Sequence, residues 1–119
     1  MSWKLDKNRP VCPQITEQIC VKIASGEFGA GEKLPSVRDV AVAAGVNPNT
    51  VQKSFEQLEQ SGVIFSVRGS GNFVCDDVSV AKDAVIGIYK EKTLNYINEM
   101  KSLGLDSEQI KKYVEELMK

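Results

Sequence analysis

Apolar residues recur with a helical period in the first half of the chain, give way to short β-branched runs, and return to a helical period toward the end. Ile15, Ile19 and Ile23 stand four residues apart, with Val11, Cys12 and Cys20 nearby. That spacing places them on one face and predicts an amphipathic helix from Pro13 to about Ser25. Pro13 suits its first turn and Gly26 its end. The glycines of GEFGAGEKLPS predict a loop, with a short strand at Lys33–Leu34. A second helix, capped by Ser36 and ended by Gly45, carries Val37, Val40, Ala41 and Ala44 on its inner side. Asn47 caps a third, with Pro48 at the first helical position, where a missing N–H costs nothing. Val51, Phe55 and Leu58 form its buried stripe, and Gly62 stops it.

The spacing of Ala41, Gly45 and Val51, at offsets of four and ten residues, fits a helix-turn-helix. Such a unit needs a small residue where the helices cross, a glycine able to take positive φ in the turn, and a branched apolar residue locking the second helix. After Gly62, VIFSV is β-branched and aromatic, RGSGN is turn-forming, and FVC is apolar again, which predicts a hairpin with a five-residue tip. Helix, helix-turn-helix and hairpin in that order make a winged helix, the hairpin being the wing.

From Asp76 the composition shifts, and no proline follows. Residues 78–104 predict one long helix of about 25 residues, with Val80, Ala84, Ile88, Leu94, Ile97 and Met100 at rough helical spacing. Gly104 breaks it, and Asp106 or Ser107 caps a short last helix through Ile110, Val114 and Leu117. Two such helices cannot build a core alone, so their stripes need a partner, either the winged helix or the same helices of a second subunit. A symmetric dimer is the economical solution. The expected fold is therefore mainly α with a small β-hairpin: a winged helix-turn-helix over residues 1–75, then two C-terminal helices as a dimerisation region over 76–119.

Composition narrows the function. At 119 residues, 42% hydrophobic and 26% charged, the chain has the make-up of one soluble domain with a small appendage. No apolar run is long enough for a transmembrane helix, and the first residues lack the apolar core of a secretory signal, so the cytoplasm is the expected compartment. Three cysteines argue against a disulfide framework. Histidine is absent, which removes the commonest general base and leaves a zinc site short of ligands. No catalytic, metal or cofactor site is expected. The net charge of −1 averages unlike parts: residues 1–75 hold 8 basic and 7 acidic side chains, and residues 76–119 hold 7 and 9. DNA affinity would then have to come from placed contacts and not from a bulk field.

With Val51, Phe55 and Leu58 inward, the third helix turns Asn49, Gln52 and Lys53 outward, with Asn47 and Thr50 at its tip. Asn and Gln suit adenine, Thr a base or phosphate, and Lys a guanine or phosphate. Arg38 with Ser36 is suited to clamp a phosphate. At the wing tip, Arg68 suits a minor groove or phosphate, and Gly69 permits close backbone approach. The plain alternatives are a solvated helix face, a surface arginine beside Asp39, and glycines serving only the turn. A winged helix used for protein interaction and a small enzyme are the competing functions. Gly26–Gly31 has phosphate-loop spacing, but Glu32 stands where the lysine belongs, and the G-x-G of RGSGNF lacks a following helix.

Over residues 11–75 the chain closely resembles the GntR family of bacterial transcription regulators. The resemblance is carried by Gly31, Leu34, Pro35, Ser36 and Arg38, by NPNTV, by Leu58, Glu59 and Gly62, and by Gly69, Gly71, Phe73 and Val74. The NPNT variant and short C-terminal part look like the YtrA subfamily. The resemblance implies a dimeric winged-helix repressor on a palindromic operator, with DNA contacts at Ser36, Arg38, Asn47, Asn49, Thr50, Lys53, Arg68 and Gly69. It implies C-terminal helices that mainly dimerise, and control of a neighbouring ABC-transporter operon and of the protein's own gene. Most other branches carry a large effector domain. The roughly 44 residues after Cys75 cannot build one, so no small-molecule effector is assigned.

Overall fold

The computed structural model describes residues 3–119, so the first two residues of the expected winged-helix region lie outside the described residues. Its elements run α1 (Val11–Ala24), α2 (Val37–Ala44), α3 (Pro48–Gln60), β1 (Ile64–Val67), β2 (Gly71–Val74), α4 (Ser79–Ser102) and α5 (Ser107–Leu117). The fold is the expected mainly helical one with a single antiparallel hairpin. The chain divides into two compact units, the first ending at Val85 and the second Ile86–Lys119.

In the first unit, α1 begins two residues before Pro13, with Pro10 at its cap. Pro13 falls third in the helix, where its N–H would lack an intrahelical acceptor in any case. Ile15, Ile19 and Ile23 are fully buried, as their spacing requires. Gln14 is buried beside them, a residue the apolar pattern gives no reason to place there. Its side-chain oxygen accepts from the Asp6 N–H at 2.6 Å, and its amide donates to the carbonyls of Asp6, Arg9 and Pro10 at 2.8, 3.1 and 3.1 Å. One side chain thus satisfies the turn before α1, and a buried amide needs such partners. Gln18 grips Lys4 similarly, accepting from its N–H at 3.2 Å and donating to its carbonyl at 2.7 Å.

The helix pair forms as its caps dictate. Ser36 Oγ accepts from the Asp39 N–H at 3.0 Å at the front of α2. At its end Gly45 takes the left-handed conformation, φ 70° and ψ 38°, and the Val46 N–H reaches back to the Ala41 carbonyl at 3.0 Å. Two residues later α3 begins, with Pro48 first and the Asn47 side chain accepting from the Asn49 N–H at 2.8 Å. Val51, Phe55 and Leu58 are buried, and so is Ser54, fully. Ser54 sits against α1, where its hydroxyl donates to the Cys12 carbonyl at 2.9 Å. A serine can therefore occupy a core stripe when a facing helix end offers an acceptor.

The hairpin differs from expectation at its tip. Val67 pairs with Gly71 and Ser66 with Asn72, so Gly71 and Asn72 belong to β2 and the tip is three residues, Arg68–Ser70. The Ser66 hydroxyl and the Asn72 side-chain oxygen, 2.7 Å apart, tie the two strands near the tip. Ile64 and Val74 face the core, while Phe65 and Phe73 stack on the other side with ring centroids 5.7 Å apart. The predicted strand at Lys33–Leu34 is a single antiparallel bridge, Lys33 opposite Phe73.

In the part of α4 that belongs to the first unit, burial falls on Ala81 and Val85, one position from Val80 and Ala84, which are half-buried. The division after Val85 comes ten residues beyond the composition shift at Asp76. In the second unit Ile88, Ile97 and Met100 are half-buried and Leu94 is exposed. Asp106 caps α5 through a capping box, accepting from the Gln109 N–H at 2.9 Å while the Gln109 side chain accepts from its own N–H at 2.9 Å. Ile110 is buried in this unit and Val114 half-buried, whereas Leu117 is 85% exposed. An apolar groove between α4 and α5 is lined by Thr93, Tyr96, Ile97, Ile110 and Val114.

Candidate nucleic-acid interface

Because Val51, Ser54, Phe55 and Leu58 point inward, α3 turns its remaining face to solvent. Asn47, Asn49, Gln52 and Lys53 are exposed on its first turns, and Thr50 is half-buried beside them. Gln52 donates to the Glu56 carboxylate at 3.4 Å, a long bond on the surface that a better acceptor would displace. Lys53 has no acidic partner among the described residues.

The front of α3 differs from a generic anion site in one respect. Pro48 has no N–H, Asn49 donates to the Asn47 side chain, and Thr50 and Val51 both donate to the Asn47 carbonyl at 3.0 and 3.4 Å. Every backbone donor of the first turn is thus occupied, although the helix dipole remains. An outside acceptor at this tip would meet side-chain donors only. Asn47 spends its oxygen on the cap and keeps its two amide hydrogens, which suit an acceptor on a base edge or a phosphate.

The front of α2 is the complement. Ser36 accepts with its oxygen and keeps its hydroxyl hydrogen, and the N–H groups of Val37 and Arg38 have no partner among the described residues. Arg38 is exposed and makes no ion pair with Asp39 there. A hydroxyl, two N–H groups and a guanidinium thus belong to one helix start, a donor set of the kind that a phosphate takes. At the third place, Arg68 and Gly69 are exposed on the hairpin tip, where Gly69 has φ 77°. A side chain there would force a conformation that L-residues avoid, and the bare backbone can approach a surface closely.

The nine sequence-predicted residues thus fall into three groups, all exposed but the half-buried Thr50: Ser36 and Arg38, then Asn47, Asn49, Thr50, Gln52 and Lys53, then Arg68 and Gly69. Among the described residues no hydrogen bond or ion pair links one group to another, so each is free to meet an outside partner. Of the other cations in the first unit two are engaged, Arg9 with Glu17 at 3.1 Å and Lys22 with Glu27 at 3.3 Å while lying 5.3 Å from the Trp3 ring centre; Lys4, Lys7, Lys33 and Lys82 make no ion pair among the described residues. Among the described residues no cluster of His, Cys, Asp and Glu is placed to hold a metal ion, and no helix is long and apolar enough to cross a membrane.

Comparison with known proteins gives the family. Residues 13–74 match the family described as bacterial regulatory proteins, gntR family. The uncharacterised HTH-type transcriptional regulator YhcF of Bacillus subtilis is 31% identical, over 92% of this chain and 91% of its own length. The HTH-type transcriptional repressor YtrA of the same organism is 29% identical, over 91% of this chain and 84% of its own. Among solved structures, a GntR family transcriptional regulator from Listeria monocytogenes superposes with a TM-score of 0.80 at 36% identity, covering 94% of this chain and 98% of that one. A winged helix whose exposed donors sit at two helix starts and a wing tip, matched in sequence and fold across its length, belongs to the GntR family in its YtrA-like branch and is a DNA-binding transcriptional regulator.

Proposed function

We propose that this regulator is a homodimeric repressor that binds an inverted-repeat operator. The observation that carries the reading is the division of α3 into a buried face, Val51, Ser54, Phe55 and Leu58, and an exposed polar front, Asn47 to Lys53. The front enters the major groove, where Asn49 and Gln52 read base edges and Asn47, Thr50 and Lys53 meet bases or phosphates. Ser36 and Arg38 hold a flanking phosphate, and Arg68 with the bare backbone at Gly69 reaches the adjacent minor groove or its backbone.

One reading head covers only a half-site. The second unit supplies the means of pairing two: Tyr89 and Leu94 are each 57% exposed on α4, more apolar surface than a helix in water needs. Val80, Ala84, Ile88, Leu94, Ile97 and Met100 are the proposed dimer contacts. Two-fold pairing of the protein then matches two-fold symmetry of the operator. The bound dimer blocks transcription in the cytoplasm, at an ABC-transporter operon and at its own gene.

The test is binding to a duplex carrying the gene's own upstream region, against a scrambled duplex of equal length. Specific binding that weakens steeply with salt is expected, and equal affinity for both duplexes at moderate salt rejects the operator reading. Arg38→Ala and Lys53→Ala should each weaken binding by about 5- to 150-fold, the scale of a 1–3 kcal/mol contact. Unchanged affinity in both removes the site assignment. A monomeric mass at micromolar concentration removes the dimer.

A further inference from the structure

Lys33 stands outside the three groups described above, in the one-residue bridge that adds a third backbone segment to the wing. Its partner in that bridge is Phe73, so its side chain leaves the sheet on the same face as Phe65 and Phe73, away from the core. From there it leans along β2 toward the tip. Its Cε comes within 3.1 Å, and its ammonium within 3.9 Å, of where a Cβ would stand on Gly71. Gly71, with φ 125°, gives up a side chain just where the lysine stem crosses. The charge is thereby carried two residues from Gly69 in the chain of the wing, while the Lys33 backbone is three residues before the α2 cap Ser36.

No acid among the described residues accounts for this placement. Lys33 is exposed and makes no ion pair there, unlike Arg9 and Lys22. Laying a long side chain along a strand without an ionic partner loses rotamer freedom. Its backbone lies three residues before the α2 cap and its ammonium beside the wing, so one side chain is tied to both features that would hold backbone phosphates.

We propose that Lys33 is a further DNA contact, a sequence-blind phosphate ligand that joins the Arg38 and Arg68 contacts into one cationic edge. The proposal rests on the DNA-binding reading of the chain. It assigns Lys33 a role in grip and none in base choice, because its ammonium lies on the wing and not on α3.

The experiment measures affinity of the full chain for a mixed-sequence duplex of about 30 base pairs, long enough for phosphate contacts on either side of a half-site, across a KCl series. Lys33→Met should make the slope of log K against log salt shallower by about 0.9 per bound protomer, about 1.8 for a dimer, the counterion equivalent of one phosphate contact from each chain. Lys33→Arg should restore the native slope. Lys22→Met, which removes an equal charge from α1, should leave the slope as it is. Circular dichroism of Lys33→Met should match the native chain, and Lys33→Gln gives a second neutral variant. A native slope in Lys33→Met and Lys33→Gln overturns the proposal, as does an equal loss in Lys22→Met. No binding by the native chain at low salt overturns the DNA reading itself, a separate outcome.

Discussion

Gly45→Ala probes the turn between α2 and α3 with a single methyl group. The residue sits at φ 70° and ψ 38°, and a Cβ added there meets nothing within 4 Å. No clash contributes, so the whole effect is the local cost of the left-handed conformation, about 1–2 kcal/mol for an L-residue. Alanine also narrows the unfolded ensemble, which returns about 0.4–1 kcal/mol. The net loss is about 1 kcal/mol, and for a unit of under a hundred residues that lowers Tm by about 4–8 °C. Thermal unfolding followed by circular dichroism reads the shift, and DNA affinity measured well below Tm should stay within about 2-fold of native, since a loss that leaves the chain folded changes little of the bound population. Gly45→Asn should recover part of the loss, because asparagine tolerates this conformation better. A Tm equal to or above native for Gly45→Ala would refute the reasoning. So would a large affinity loss in a chain that remains fully folded.

The same substitution at Gly87 should act in the opposite direction. Gly87 lies inside α4 with ordinary helical φ and open space at the Cβ position, so Gly87→Ala should raise helix stability by about 0.5–1 kcal/mol, read by chemical denaturation. Leu58→Ala removes a side chain that is only 1% exposed under the helix pair and should cost about 2–5 kcal/mol of stability in the same assay. Burial, aided by the nearby Glu17 carboxylate, pushes the Cys20 thiol from 9.0 up to about 11. Its folded value lies above its unfolded one, so the stability it contributes is complete below pH 9.0 and declines as pH rises toward 11. Cys20→Ala should therefore show a shallower fall in Tm between pH 9 and pH 10.5 than the native chain.

Much of this fold is legible in sequence because it is locally encoded. Ser36, Gly45, Asn47 and Pro48 each act within a few residues, so the boundaries of α2 and α3 follow from their chemistry. What escapes depends on partners far along the chain. Ser54 can be fully buried because the Cys12 carbonyl, 42 residues away, accepts a hydrogen bond from its hydroxyl. Gln14 looks like an exposed polar residue until the turn at 6–10 folds onto it. The wing tip shortens because strand register assigned Gly71 and Asn72 to pairing, which composition alone cannot decide. In α4, aliphatic residues lie on several sides, so Ala81 and Val85 could not be preferred to Val80 and Ala84 without the surface that covers them. The exposed polar front of α3 was legible for a simpler reason: its buried stripe fixes the opposite face. The place of Lys33 beside Gly71 needs the bridge register, and no local pattern carries it.

The contrast between the two helix starts bears on how such regulators diversify. Backbone donors are unspent at the front of α2 and wholly spent at the front of α3. A grip made of main-chain N–H groups survives almost any substitution, whereas a tip that speaks only through side chains changes its message with each replacement. If the proposed contacts hold, drift at Asn49 or Gln52 re-addresses a duplicated copy to a new promoter while its hold on the sugar–phosphate backbone is inherited intact.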